Sequence, residues 1–279
     1  MSQISYDGKP TLYLVPTPIG NLDDITVRSL NILKTVDIIL CEDTRNTGIL
    51  LRHYDIHKKL MSCHEYNESN MIQSVISFLE KGSNVGFVTD QGTPIISDPG
   101  YVLSKFVIDN GFNVISLPGA TAFVPALSMS GIEPSPFLFY GFLDSKDSKR
   151  RKELEELKDN EYTIIFYEAP HRIIKTLELM KEILGDREIS ISREITKKFE
   201  TVYRGKFSEV IPNIPDKGEF VIVVSGAEDK EIDSNLSVKE AVNLYIKAGL
   251  DVMSSIKKVA KDRGVTKGEI YKEYHQEEE

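Results

Sequence analysis

The chain has 279 residues, 41% hydrophobic and 28% charged, an ordinary globular mix with length enough for two domains or for one domain and an appendage. No run approaches the roughly 18 apolar residues of a membrane span, and the start, MSQISYDGKP, lacks the basic and apolar regions of a signal peptide. Two cysteines, Cys41 and Cys63, suit neither a disulfide framework nor a metal cluster, so a cytoplasmic protein is expected; a net charge of −9 argues against unspecific binding to polyanions while leaving room for local basic patches.

Residues 11–16 (TLYLVP) read as a buried strand entering the loop PTPIGN at 16–21. Helical spacing of Ile25, Val27, Leu30, Ile32, Leu33 and Val36 follows, with Asp23, Asp24 and Thr26 as candidate N-caps. A strand at 36–41 (VDIILC) leads into Glu42-Asp43-Thr44-Arg45 and a helix over 45–53, which Asp43 or Thr44 would cap. A helix at 68–81 has Met71, Ile72, Val75, Ile76, Phe78 and Leu79 as its stripe. The strand 85–88 runs into the polar loop TDQGTPIISDPG (89–100), then come a helix over about 99–110 closed by Asn110-Gly111 and a strand at 113–118. Strands and helices alternating over short connections imply a mostly parallel sheet covered on both faces. Its polar motifs fall just after strands, where such sheets hold ligands.

PGATAFVPA (118–126) leads into an apolar helix reaching about Ser130, and the chain changes domain near 118–135. A second α/β half follows: strand 137–142, basic loop and helix 145–158, strand 162–167, and helix 170–184 with Pro170 near its first position. Strands at 188–192, 200–205 and 219–224 complete it, the last (EFVIVV) apolar enough to be central. Residues 226–235 read as a charged linker, and 234–276 as two or three short helices with eight Lys or Arg against five Asp or Glu. That segment either docks RNA or caps the body with the stripe Val242, Tyr245, Ile246, Val252, Ile256 and Val259. The expected division is 1–118, 119–228 and 229–279.

The loop at 89–100 is too long for a mere turn, and its Asp90, Gly92, Thr93, Ser97 and Asp98 favour a ligand. PTPIGN is neither a P-loop nor GxGxxG. Arg45 suits phosphate contact. Five of the eight residues at 145–152 are Lys or Arg, a run that is either a solvated face or a phosphate contact. Two strand ends, Tyr167 to Arg172 and Arg193 to Glu200, place charges where the halves could face one another. The histidines are scattered and no HExxH is present, so no metal site is expected.

LYLVPTPIGNLDDIT, ILCEDTR, VTDQGTPIISDPG, SLPGATA, FYEAPHR, SREITKKFE and GEFVIVV, in this order, resemble the ribosomal RNA small subunit methyltransferase I family. That family is a branch of the tetrapyrrole methylase superfamily, the class III S-adenosylmethionine-dependent methyltransferases, and the resemblance covers about 11–225. It implies a two-domain α/β fold with a cofactor cleft between the domains, plus a small C-terminal helical segment. It also implies S-adenosylmethionine as cofactor, 2′-O-methylation of a cytidine in the decoding region of 16S ribosomal RNA, as free RNA or in the assembled 30S subunit, and a homodimer. Cofactor contacts carried over by motif are Pro16, Asp90, Gly92, Thr93, Ile95, Ser97, Ala120, Thr121, Ala122, Tyr167, Glu168, Gly218 and Glu219. The chain reads QGTP at 91–94 where tetrapyrrole-modifying relatives favour GGDP.

A ribose hydroxyl is a poor nucleophile, so a base is expected among Asp43, Glu65, Glu168 and Glu200. RNA contacts are expected from Arg45, His64, Lys149, Arg150, Arg151, Arg172, Arg193 and Lys197. Two alternatives stay open: a methyltransferase acting on a small tetrapyrrole, and a non-catalytic RNA-binding module.

Overall fold

The computed structural model describes residues 2–5, 7–64, 66–227, 236–247 and 250–276. By contacts the chain separates into two units, Met1–Gly226 and Ala227–Glu279. The larger unit begins with a five-stranded sheet of β1 (Thr11–Leu14), β2 (Ile38–Cys41), β3 (Lys59–Ser62), β4 (Val85–Val88) and β5 (Asn113–Ser116). All pairings are parallel, in the order β3-β2-β4-β1-β5. Four helices cover it: α1 (Val27–Thr35), α2 (Thr44–His53), α3 (Glu68–Glu80) and α4 (Tyr101–Asp109). Ile72, Val75, Leu79, Leu103 and Val107 pack on Leu12, Leu40 and Phe87 from one side. Leu33, Val36 and Leu51 pack on Val15, Ile39 and Val88 from the other. Thr26 caps α1 by accepting from the Ser29 amide, and Asp43 caps α2 by accepting from the Arg45 amide, so each helix starts where a short oxygen-bearing side chain satisfies an orphan donor. The edge strand β3 was not foreseen: KLMS is partly exposed and patternless, and only its pairing with β2 defines it.

The rest of this unit comprises α5 (Phe123–Ser128), β6 (Phe137–Phe142), α6 (Asp147–Leu157), β7 (Thr163–Glu168), α7 (Ile173–Leu184), β8 (Glu188–Arg193), β9 (Thr201–Lys206), the single turn α8 (Phe207–Val210) and β10 (Phe220–Val224). Its strands run β6-β7-β10-β8-β9, and only β6 and β7 are parallel. Helix α7 carries the chain past one position, and β10 fills that gap antiparallel to both neighbours; its five residues are all buried, as a central strand requires. Pro170 lies ahead of α7, whose N-cap is Arg172, and so falls outside the first helical position expected for it. One sheet face packs on α6 and α7. The other packs Ile165, Val221 and Val223 against Ala126 and Leu127 of α5, and also against Ile19, which follows β1 of the first sheet.

The smaller unit holds α9 (Val238–Lys247), α10 (Val252–Asp262) and α11 (Lys267–Gln276). Val242, Ile256 and Val259 of the expected stripe are buried in a core that also takes Ala241, Ile270 and Tyr274 of the same unit, while Val252 is exposed. Most of the expected linker, and the turn at 248–249, lie outside the described residues. Among the described residues no helix is long and apolar enough to cross a membrane.

Candidate functional site

Strands β1 and β4 are neighbours, so the loops that follow them leave the sheet side by side. They are tied by a two-way backbone bridge in which the Thr17 amide donates to the Gly92 carbonyl at 2.9 Å and the Gly92 amide to Thr17 at 3.0 Å. The β5 exit joins them: the Thr93 hydroxyl donates to the Ala120 carbonyl at 3.0 Å. Gly119 passes so close to Pro16 that a Cβ there would lie 2.4 Å from the proline Cβ. Beyond Gly92 the chain takes left-handed backbone at Ile95 (φ 77°) and Ser97 (φ 66°), then at Gly100 (φ 122°). For non-glycine residues this costs of order 1–3 kcal/mol each and persists only where the surroundings impose it.

The imposed shape closes one wall of a cavity of about 390 Å³. That wall brings Ile19 and residues 90–93 and 96–98; the facing wall brings Thr121, Ala122, Phe142, residues 167–170, Ile195 and residues 219–221. Two hydrogen bonds join the walls: Gln91 Nε2 donates to Glu219 Oε1 at 3.4 Å, and the Asn21 amide to Thr196 Oγ1 at 3.1 Å. A smaller cavity of about 270 Å³ shares Asp90 and Gln91 with it and is lined by Thr17, Asn46, Thr47, His53 and Thr89 among others.

The charged groups have distinct environments. Asp90 accepts from the Asp43 amide (3.3 Å) and from Asn46 Nδ2 (2.7 Å). Burial, and then the Asp90 carboxylate, raises the Glu42 pKa. Asp98 is pushed up to about 7 by burial, with Glu42 and Asp90 adding to it. Burial pushes the Tyr167 phenol up to about 12, and its oxygen accepts from the Phe123 amide at 3.2 Å. Glu168, 3% exposed, accepts from Arg172, from Thr176 Oγ1 at 2.6 Å and from the Ala169 amide at 2.8 Å.

Nine of the residues expected at the cofactor line the larger cavity: Asp90, Gly92, Thr93, Ser97, Thr121, Ala122, Tyr167, Glu168 and Glu219. Four stand behind it. Pro16 supports Gly119, Ile95 packs on the first core, Ala120 offers its carbonyl to Thr93, and Gly218 lies under Arg193 and Glu194. Gln91, Asp98, Phe142, Ile195 and Val221 also line the cavity and were not assigned from sequence. Asp98 stood in the loop that the sequence singles out, but its pattern there is also that of a turn former.

The expected bases divide differently. Asp43 lies outside the cavity lining and is gripped by Arg45, whose side-chain hydrogen bonds hold it down to about 2. Glu200 accepts from the Thr196 amide at 2.6 Å, and Glu65 lies outside the described residues.

Among the expected RNA contacts, Arg45 is 86% exposed over Asp43, and His64 lies just past β3 with a buried Nδ1 that has no hydrogen-bond partner among the described residues. Lys149 pairs with Asp144 at 3.3 Å and Arg151 with Glu182 at 2.7 Å. Arg150 is a correction: its side chain is 2% exposed and pairs with Asp147, so it cannot reach a phosphate from there. Arg172 is engaged by Glu168, Arg193 Nε donates to the Lys217 carbonyl at 2.6 Å, and Lys197 bridges Glu194 and Glu219. The basic run at 145–152 is thus largely paired with carboxylates of its own half.

Residues 11–211 match the family of Tetrapyrrole (Corrin/Porphyrin) Methylases. The fold is shared with the methyltransferase CobJ (TM-score 0.59, 18% identity, 78% of this chain and 95% of that one). It is shared too with uroporphyrin-III-C-methyltransferase from Thermus thermophilus (TM-score 0.56, 17% identity, 78% and 96%). The chain belongs to the tetrapyrrole methylase family, and within it to the group of relatives named Ribosomal RNA small subunit methyltransferase I. The protein of that name from Bacillus subtilis (strain 168) is 48% identical over 98% of both chains. The one from Escherichia coli O157:H7 is 38% identical over 94% of this chain and 93% of its own.

Proposed function

We propose that this protein transfers the methyl group of S-adenosylmethionine to the ribose 2′-hydroxyl of a cytidine in the decoding region of 16S ribosomal RNA. The observation that carries this is a two-walled cavity of about 390 Å³ in a chain 48% identical to a relative named for small subunit ribosomal RNA methylation. The lining fits the cofactor. The Asp90 carboxyl suits its ammonium group, the Thr93 and Thr121 hydroxyls its ribose and carboxylate, and Ile19, Ala122 and Val221 its adenine. At Gly92 the absent side chain leaves room: a Cβ there would already touch Ile19 at 3.4 Å. When bound, S-adenosylmethionine supplies an electrophilic methyl group on a positively charged sulfur.

The chain's own task is then orientation and exclusion of water, which in well-aligned reactions is worth roughly 7–11 kcal/mol. The Gln91–Glu219 and Asn21–Thr196 hydrogen bonds hold the two walls together for this. Half-exposed Phe142 offers a flat apolar surface at the cavity, as base stacking requires. Exposed Arg45 suits phosphate contact, its guanidinium kept in place by Asp43. The same proposal includes a working division into lobes 1–118 and 119–228, RNA or assembled small subunit as substrate, and a homodimer. For the dimer, Tyr101, Val102, Phe106 and Ile108 on α4 are exposed apolar side chains, with the Lys105–Asp109 ion pair among them.

Purified small subunits incubated with methyl-labelled cofactor, followed by mapping of the labelled nucleotide, test this. Label on the 2′-oxygen of one cytidine is expected. Label on a base, methylation of a free tetrapyrrole instead, or RNA binding without transfer overturns it.

A further inference from the structure

Among the described residues four carboxyl side chains line the larger cavity: Asp90, Asp98, Glu168 and Glu219. Three are engaged. Asp90 holds the Asp43 amide and Asn46, Glu168 holds Arg172 and Thr176, and Glu219 holds Gln91 and Lys197. To Asp98 no donor among the described residues makes a hydrogen bond, although the side chain is partly buried in the wall. Among the described residues it is the one lining carboxyl whose oxygens no protein donor engages, so they are free to accept from whatever occupies the space.

Its backbone holds it there. Ser97 before it is left-handed, and Gly100 after it has φ 122° with Phe87 so close that a Cβ would lie 2.3 Å from the ring. Ser97 Oγ in turn lies 3.1 Å from the point where Gly141 of β6 would carry a Cβ, so the turn bearing Asp98 is seated against the opposite wall. Neither side of the residue is a free loop tip.

We propose that Asp98 is the general base of the methyl transfer: its carboxylate takes the proton of the acceptor hydroxyl. This rests on the function proposed above. As the hydroxyl oxygen's lone pair bonds the methyl carbon, the pair of the breaking carbon–sulfur bond stays on sulfur, and the hydroxyl proton passes to an Asp98 oxygen. A carboxylate and a sulfonium become a carboxylic acid and a neutral thioether, and the proton then leaves to water. Burial, with Glu42 at the end of β2 and Asp90 at the end of β4, sets the Asp98 carboxyl near 7, where a base is both unprotonated in part and strong enough to act. Tyr167 on the facing wall stays a neutral phenol throughout that range, and His64 bears on the group only through Glu42.

The test uses the full-length protein, purified small subunits and labelled cofactor under single-turnover conditions from pH 5.5 to 9. The wild-type rate should rise through an inflection near 7. Asp98→Asn should lower it by roughly 10²–10⁴-fold and remove the inflection, while calorimetry shows unchanged affinity for the demethylated cofactor. Asp98→Glu, which returns a carboxyl on a longer stem, should recover part of the rate. A readout independent of activity is the carboxyl ¹³C signal of aspartate-labelled protein: one resonance, missing from both variants, should titrate near 7. An Asp98→Asn protein with the wild-type rate, or with its pH inflection intact, overturns the assignment of the base alone. A wild-type protein that methylates no RNA overturns the function itself, and the base with it.

Discussion

Arg172 lies along the carboxylate of Glu168, with Nε 2.8 Å from Oε1 and Nη2 3.1 Å from Oε2. Residues four apart at the junction of β7 and α7 thus form a two-pronged pair that is almost wholly buried. Removing one partner of such a pair leaves an uncompensated charge, so Glu168→Ala should cost about 3–5 kcal/mol in urea unfolding. Glu168→Gln should also destabilise, since the amide cannot satisfy both guanidinium nitrogens and Thr176. Were Glu168 a proton acceptor as well, Glu168→Gln would also abolish transfer by the molecules that remain folded.

Asp98 has a second, purely thermodynamic signature. Its folded pKa of about 7 is raised above the unfolded value of roughly 3.9, so the folded state binds the proton more tightly. The stability this contributes is fully present below the unfolded value and is lost as pH rises through about 7. Melting temperatures of wild type and Asp98→Asn should therefore diverge from pH 4 upward, the variant becoming relatively more stable, and run parallel above pH 8.

Gly100 and Gly111 both have positive φ, yet a Cβ on Gly111 meets none of the described residues within 4 Å whereas one on Gly100 meets Phe87 at 2.3 Å. Gly111→Ala should carry only the left-handed penalty of about 1–2 kcal/mol. Gly100→Ala should add overpacking of about 1–3 kcal/mol. Because it displaces the 89–100 loop, it should also weaken cofactor binding by calorimetry, which Gly111→Ala should not.

These residues show what a sequence can and cannot disclose. The parallel half was legible because its buried strands are short apolar runs, each followed by polar loops, and because Thr26, Asp43 and Asn110-Gly111 are strong helix punctuation. The antiparallel pairing of β10 was hidden, since a strand buried on both faces reads the same in either direction. Arg150 was read as part of a charged surface, although its spacing of four and seven to Leu154 and Leu157 puts it on the buried face of α6. Asp98 was legible as part of a ligand loop but not as a base, because its burial and its carboxylate neighbours come from the ends of β2 and β4, which converge only in the fold.

Cys41 and Cys63 are both fully buried, and burial pushes their thiols up to about 11 and about 12. At pH 8 the folded protein should react with iodoacetamide far more slowly than a free thiol, and both cysteines should label together on unfolding. Mass spectrometry after a timed pulse reads this directly.

The C-terminal helices bury Val242, Ile256 and Val259 in a core of their own. A chain ending at Gly226 should therefore keep the cofactor affinity of the full-length protein. If that truncated chain methylates small subunits at the full rate, the helices have no part in docking RNA; a slower rate at unchanged cofactor affinity assigns it to them.

Ile19 follows a strand of the first sheet yet is buried with Ile165, Val221 and Val223 of the second. A hydrophobic cluster shared in this way couples the two halves cooperatively. Neither can melt without stripping apolar surface from the other, so the chain to Gly226 should unfold in a single transition. The cleft walls then owe their alignment to folding itself: a protein that has folded at all has already set them face to face.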